Sequence, residues 1–252
     1  MSDWNPALYL RFEAQRTQPA VDLANRLRPY QPRTVADLGC GPGNSTAVLR
    51  AALPEAELTG IDSSPSMIEA ARAKHPDLLF RQGDVAALDG EYDALFSNAC
   101  LQWLPHHETL LPALLERLRP GGVLAVQIPS NGEEPLFRII REVADEPQWG
   151  LRDLPVTPNE VLTPDAYFDL LSAHARRFDL WETVYCHALP SHAALVDWVR
   201  STRLRPYLAA LDEEAAAAFV QELERRAASA YPVHPNGDVL IRFRRLFFLA
   251  ER

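Results

Sequence analysis

The sequence predicts an α/β protein with a doubly wound, mostly parallel sheet. Three observations predict this class. Short apolar runs alternate with helix-like segments as far as Pro129, glycines and acidic residues follow the first runs, and the last run, Val239 to Ala250, alternates like a strand. Strands separated by helices pair in parallel, and mixed edges are common on such sheets. We therefore expect an antiparallel last strand and helical insertions that form a lid.

The first half of the chain contains five predicted strands, each a short apolar run bounded by turn residues. They are Thr34–Leu38, Glu57–Asp62, Leu78–Asp84, Tyr92–Asn98 and Gly122–Ile128. Helices are predicted between them, because capping residues and proline precede the helical patterns. Asn44 or Ser45 can cap the first helix, the run from Ser63 opens the second, and another lies near Thr109–Leu118.

The second half is less regular. It contains a proline-punctuated insertion, a predicted helix, an alternating strand, and a long helical stretch broken near Pro206, which are Ser130–Asn159, Pro164–Ala173, Phe178–Leu189 and Ser191–Arg226. We predict one domain over residues 1–252. Its predicted parts are an N-terminal lid segment at 1–32, a cofactor-binding core at 33–129, an insertion at 130–160 and a helical acceptor-site insertion at 190–236.

Composition limits the kinds of partner and cellular location that we expect for this protein. Lys and Arg total 25 against 34 Asp and Glu, a net charge of −9, so we expect no nucleic-acid partner. No apolar run reaches the roughly 20 residues that span a bilayer, and the first ten residues do not resemble a signal peptide. Three widely spaced cysteines predict neither disulfides nor zinc. We expect a cytoplasmic monomer or homodimer that binds a small molecule.

A glycine loop follows the first predicted strand. Gly39, Gly41 and Gly43 give the spacing Gly-x-Gly-x-Gly, with Asn44 where a dinucleotide fingerprint has its third glycine. Asp37 precedes the first glycine by two residues. Its carboxylate would repel a pyrophosphate but attract the amine of an amino-acid tail.

Polar groups also end the next three predicted strands. Asp62 is placed to bind a ribose diol, and Asp84 to accept from an adenine amino group beside Val85. Each aspartate alone is equally well explained as a cap of a helix or turn. Asn98 and Trp103 offer an amide and an aromatic ring after the fourth strand. The remaining predicted cofactor-binding residues are Ser63 and Met67.

These motifs resemble the class I S-adenosylmethionine-dependent methyltransferases, and more narrowly the trans-aconitate methyltransferases. The resemblance rests on the glycine loop and the later core motifs, and on the more specific segments Asp3–Pro6 and Leu204–Leu208. It implies a Rossmann-like methyltransferase fold with S-adenosylmethionine as cofactor. Arg203 and Arg244 depart from the family pattern, and each adds positive charge.

The resemblance implies methyl transfer to one carboxylate of trans-aconitate, giving the monomethyl ester and S-adenosylhomocysteine. A carboxylic acid is already ionised at neutral pH, so no general base is required. Arginine suits a tricarboxylate because its planar fork binds carboxylates in a bidentate manner. Arg245 is the single charge on the apolar row of the last strand. Further predicted acceptor-binding residues are Arg205, Tyr207, Trp4, Tyr9 and Arg16.

Two alternatives stay open at this point. One is a methyltransferase for another carboxylate, such as a malonyl group on a carrier protein, which the arginines Arg200, Arg203 and Arg205 would help to dock. The other is of a different class: a nicotinamide-binding oxidoreductase or a nucleotide-binding protein without catalysis. The second alternative predicts preferential binding of NAD.

Overall fold

The computed structural model describes residues 13–156, 161–200 and 202–252, with side chains described from residue 17 onward. The chain divides into two compact units. Of the described residues, the α/β unit comprises 16–129, 161–183 and 245–252. The helical unit comprises 13–15, 130–156, 184–200 and 202–244. The prediction of a single domain with insertions stays a prediction.

Seven strands form one mixed sheet. They are β1 Thr34–Leu38, β2 Glu57–Asp62, β3 Leu79–Gln82, β4 Tyr92–Asn98, β5 Leu118–Pro129, β6 Arg177–Leu189 and β7 Val239–Glu251. The strand order is β3-β2-β1-β4-β5-β7-β6. Strands β1 to β5 pair in parallel and β7 pairs antiparallel with β5. The predicted α/β class with an antiparallel last strand is confirmed.

Nine α-helices are described. They are α1 Glu13–Leu27, α2 Asn44–Ala52, α3 Pro65–Lys74, α4 His107–Glu116, α5 Pro135–Ala144, α6 Pro164–His174, α7 His192–Arg200, α8 Arg205–Ala209 and α9 Glu213–Ala230. Local sequence explains several of their beginnings. Ser64 caps α3 through the Met67 N–H, and Asp212 caps α9 through the Ala215 N–H. Within the described residues no helix is long and apolar enough to cross a membrane.

Each unit has its own apolar core. In the α/β unit, buried side chains of the central strands pack with those of α4 and α6, including Leu95, Leu111 and Tyr167. In the helical unit, α9 packs against α5 and α7, with Phe219 and Trp198 among the buried residues. Burying a side chain of this kind contributes about 1.5–3 kcal/mol. Each core therefore stabilises the packing of the helices and strands that surround it.

Two local predictions were wrong. Neither Asn44 nor Ser45 caps α2: Gly43 occupies the cap position, Asn44 accepts a hydrogen bond from Lys74, and Ser45 donates to Asp37. The third strand ends at Gln82, before Asp84, because the Asp84 side chain caps the following 3₁₀ turn.

The helical stretch is broken near Pro206, as predicted. Helix α7 ends at Arg200, and Pro206 lies in the first turn of α8. Proline is tolerated there because the backbone N–H groups of the first turn have no partner within the helix.

Candidate functional site

The sheet reverses its winding between β1 and β4. Strands β2 and β3 follow β1 on one side, and β5 follows β4 on the other. Ligands of open α/β sheets bind beyond the carboxyl ends of the strands at such a switch point. The glycine loop after β1 and the segment from Asn98 to Trp103 after β4 both begin at this place.

The glycine loop needs its glycines. Gly39, Gly41 and Gly43 have φ values of 70°, 53° and 87°, which favour residues without a Cβ. A Cβ on Gly39 would lie 2.2 Å from the Cys100 Sγ, so the loop packs directly against the segment after β4. A Cβ on Gly41 would have no heavy atom of the described residues within 4 Å. Gly41 therefore presents bare backbone to open space, where a ligand can approach closely.

Asp37 connects the end of β1 to the start of α2, on the two sides of the glycine loop. Its side chain is buried, and its Oδ2 accepts from the hydroxyls of Ser45 and Thr46 at 2.6 Å each. Burial raises the pKa of Asp37 to about 6, against the lowering effect of these two hydroxyls. Among the described residues its Oδ1 has no hydrogen-bond partner. One oxygen thus holds the start of α2, and the other can accept from a ligand amine.

Asp62 joins the loop to β2. Its Oδ2 accepts from the Gly41 N–H and its Oδ1 from the Ser64 N–H, both at 2.9 Å. Each carboxylate oxygen has a further lone pair, so these bonds leave Asp62 able to accept from ligand hydroxyls. Ser63 is exposed and Met67 half-buried at the same end of the sheet.

Asp84 and Val85 follow β3, the outermost strand on this side. Asp84 is exposed, and its Oδ1 accepts from the Ala86 N–H at 2.9 Å, whereas Val85 is buried in the core of the α/β unit. Asp84 is therefore a cap, as its second interpretation predicted. Its other oxygen remains the candidate for an adenine contact.

The segment after β4 has an unusual backbone. Ala99 has a φ of 53°, and its N–H donates to the Gln127 carbonyl at 3.0 Å. Asn98 ends β4, and within the described residues its Oδ1 has no hydrogen-bond partner. Trp103 is 53% exposed at the end of the 3₁₀ turn. Asn98 and Trp103 both lie at the switch point, as predicted.

A buried histidine that the sequence did not single out supports this segment. His107 Nε2 lies 2.9 Å from the Leu101 carbonyl, and its Nδ1 lies 2.6 Å from the Tyr167 hydroxyl. A carbonyl only accepts, so Nε2 carries the proton and Nδ1 accepts from Tyr167. This role was not predicted from the sequence. The apolar neighbours Leu104 and Leu110 were the sequence feature that could have predicted the burial of His107.

The predicted acceptor residues lie in different parts of the chain. Arg245, in the α/β unit, is 7% exposed. The alternation of β7 leaves Arg242 and Arg244, which belong to the helical unit, exposed. In the helical unit Arg205 is exposed, while Tyr207 is buried and stacks on Phe219. Trp4 and Tyr9 lie outside the described residues. Arg16 belongs to α1, but its side chain lies outside the described part.

Burial also determines the protonation state of Cys40 and Cys100, the two cysteines near the loop. Burial, together with the charges of Asp62 and Asp37, raises the pKa of Cys100 to about 12. Burial likewise raises the pKa of Cys40. Both thiols are therefore protonated and poor nucleophiles at neutral pH. Over the described residues no group of three His, Cys, Asp or Glu side chains is arranged to hold a metal ion.

The chain is similar to curated proteins over its full length. It is 48% identical over 254 residues to the trans-aconitate 2-methyltransferase of Klebsiella pneumoniae (strain 342), covering 100% of this chain and 99% of that protein. The corresponding Methylobacterium radiotolerans protein is 48% identical over 258 residues with the same coverage. The Escherichia coli O139:H28 protein is 46% identical over 255 residues, again covering 100% and 99%.

Residues 35–122 match the family model of a methyltransferase domain. Among solved structures, the YcgJ protein of Bacillus subtilis aligns with a TM-score of 0.59 at 12% identity, covering 93% of this chain and 98% of that one. The plantazolicin methyltransferase BpumL, solved with SAH, aligns with a TM-score of 0.53 at 17% identity, covering 98% and 90%. At these identities the likeness concerns the fold.

Proposed function

Because the chain belongs to the trans-aconitate 2-methyltransferases, a family of class I S-adenosylmethionine-dependent enzymes, we propose that it methylates trans-aconitate. The products are a monomethyl ester and S-adenosylhomocysteine. The observation that carries this proposal is a sequence identity of 46–48% over the full length of this chain and nearly the full length of each relative. A match confined to residues 35–122 would support the methyl donor but not the acceptor.

The residues at the switch point fit S-adenosylmethionine. Gly41 offers open backbone, and Asp37 and Asn98 each have a side-chain oxygen without a partner among the described residues. An ammonium group needs such acceptors, and a glycine loop lets the backbone approach the tail. When bound, S-adenosylmethionine supplies an electrophilic methyl group on a positively charged sulfur. Asp37, the loop and Asn98 hold its amino-acid end.

Asp62 and the residues after β3 hold the nucleoside end. The Asp62 carboxylate accepts from the two ribose hydroxyls while it keeps its bonds to Gly41 and Ser64. Asp84 accepts from the adenine amino group, and Val85 contacts the ring. Ser63, Met67 and Trp103 border the same site.

The acceptor needs positioning rather than activation. A carboxylic acid with a reference pKa near 4 is ionised at neutral pH, so its oxygen is already the nucleophile. Holding that oxygen in line with the methyl carbon can contribute roughly 7–11 kcal/mol to lowering the barrier. We therefore assign no general base.

Arginines provide the anion-binding groups for the acceptor. Arg245 is nearly buried, and a charge in such surroundings interacts strongly with a carboxylate because water screens it little. Arg205 and Tyr207 are assigned from the family motif, as are Trp4, Tyr9 and Arg16. The enzyme works in the cytoplasm as a monomer or homodimer. The free cysteines Cys40, Cys100 and Cys186 are in keeping with a reducing compartment.

The test is a methyl-transfer assay with labelled S-adenosylmethionine and a panel of carboxylates. Trans-aconitate is expected to give the labelled monomethyl ester with the highest kcat/KM. The panel includes cis-aconitate, citrate, fumarate and a malonyl thioester on a carrier protein. If one of these is methylated faster than trans-aconitate, the substrate assignment is wrong even though the methyl donor is right.

A further inference from the structure

Gln127 lies near the carboxyl end of β5, in a row of paired residues that crosses the sheet. It pairs in parallel register with Asn98 and in antiparallel register with Phe247. Residues directly opposite each other in a sheet point to the same face. Arg245 pairs with Pro129, two residues after Gln127, and therefore lies on this face too.

The Gln127 amide is buried and unsatisfied. The residue has 0% exposure, and neither its Oε1 nor its Nε2 has a hydrogen-bond partner among the described residues. Buried amides are nearly always hydrogen-bonded, because a buried donor or acceptor without a partner loses its hydration and gains nothing in return. A methionine or leucine would fill this position without the free-energy cost of burying an unpaired amide. The amide therefore needs a partner that the described residues do not provide.

The surroundings favour a carboxylate as that partner. Arg245 is nearly buried on the same face and contributes a positive charge. The side-chain NH₂ of Gln127 is a donor, which a carboxylate oxygen accepts. Asn98, on the other side of Gln127, is an amide and adds no negative charge. Gln127 and Arg245 thus offer a donor and a cation to an anion.

Gln127 also lies at a distance from the glycine loop that is proposed to bind the cofactor. The loop follows β1, and β5 lies two strands away, across β4. At about 4.8 Å between neighbouring strands, the two lie about 10 Å apart. The residues assigned to the nucleoside follow β2 and β3, on the far side of β1. Gln127 is therefore on the half of the sheet that those residues leave to the acceptor.

We propose that Gln127 is a specificity-determining residue, whose side-chain NH₂ donates a hydrogen bond to a carboxylate of the acceptor that is not methylated. A tricarboxylate has two such groups, so Arg245 and Gln127 can each hold one. This inference rests on the proposed function, because it requires an acceptor with more than one carboxylate.

The experiment compares wild type with Gln127→Met, which keeps nearly the same volume and removes the amide. The KM for trans-aconitate is expected to rise about 10- to 100-fold, the loss typical of a hydrogen bond to a charged group. The Kd for S-adenosylmethionine, measured by calorimetry, should stay within twofold of wild type. The Tm should not fall, because the amide has no partner to lose within the described residues.

Gln102→Met is the matched control for stability. Gln102 is also buried, but its Nε2 donates to the Ala99 carbonyl at 2.7 Å, so its replacement is expected to lower the Tm. If wild type does not methylate trans-aconitate, the proposed function fails and this inference fails with it. If wild type is active and Gln127→Met keeps its KM, the inference alone is overturned. A fall in Tm for Gln127→Met equal to that of the control would also overturn it, since the amide would then have an internal partner.

Discussion

Replacing Asp62 by alanine should weaken the fold and the cofactor site by separable amounts. In the free protein Asp62 accepts two backbone hydrogen bonds, from Gly41 and Ser64, both at 2.9 Å. At about 1 kcal/mol each, their loss lowers the free energy of unfolding by about 2 kcal/mol. For a protein of this size that corresponds to a fall in Tm of about 4–8 °C.

The cofactor site loses a different set of bonds. Two ribose hydroxyls donate to the Asp62 carboxylate in the proposed complex, and their loss costs about 1–3 kcal/mol. The Kd for S-adenosylmethionine should therefore rise about 5- to 150-fold. Calorimetric titration at a temperature well below the lowered Tm measures this effect on folded protein.

Asp93→Ala is a matched control at the opposite end of the sheet. Asp93 Oδ2 accepts from the Arg33 and Thr34 N–H groups at 2.9 and 3.0 Å, the same structural task at the start of β1. Because Asp93 also pairs with Arg119 at 2.9 Å, this variant should lose at least as much stability as Asp62→Ala, and it should keep the wild-type Kd. If Asp62→Ala loses stability but also keeps the wild-type Kd, the ribose lies elsewhere.

Three further predictions concern the loop and the acceptor. Gly39→Ala should lower the Tm by several degrees, because its Cβ would meet the Cys100 Sγ at 2.2 Å and its φ of 70° disfavours alanine. The affinity for S-adenosylmethionine should be constant above pH 6 and fall by up to tenfold per pH unit below it, as calorimetry across pH will show. The reason is that Asp37, with its pKa raised to about 6, binds the ammonium only when ionised. Arg245→Met should raise the KM for trans-aconitate at least tenfold and leave the Kd for S-adenosylmethionine unchanged, whereas Arg242→Met should change neither.

Each of these has a clear contrary result. A Gly39→Ala protein with the wild-type Tm would mean that the loop can move away from Cys100. A pH profile that keeps its step at pH 6 in Asp37→Asn would assign the titration to another group. Loss of acceptor and cofactor binding together in Arg245→Met, or its failure to fold, would make Arg245 structural.

The sequence predicted those features that depend on local chemistry. The order of strands and helices follows from periodicity, and the start of α3 from the pair Ser64-Pro65. The burial of Arg245, next to exposed Arg244 and three residues after exposed Arg242, follows from alternation along β7. In each case the deciding interactions lie within a few residues of one another, or follow from a regular strand.

The errors have a common physical cause, which is competition from partners distant in sequence. Ser45 can cap a helix, but its hydroxyl finds the buried carboxylate of Asp37, eight residues earlier and on another element. The role of His107 was not predicted because its partner, Tyr167, lies 60 residues later and is not visible in the local pattern. Gln127 was only part of a strand motif, since an unsatisfied amide is evident only once its neighbours are known.

The strand order also constrains the sequence of events during synthesis. Strand β6 is joined to the sheet through β7, which lies between it and β5 although it is made some 50 residues after β6. A nascent chain can complete the parallel strands β1 to β5 early, but β6 has no neighbour to pair with until β7 has left the ribosome. During that interval β5 exposes an open edge, which is the kind of surface on which chaperones act and nascent chains aggregate.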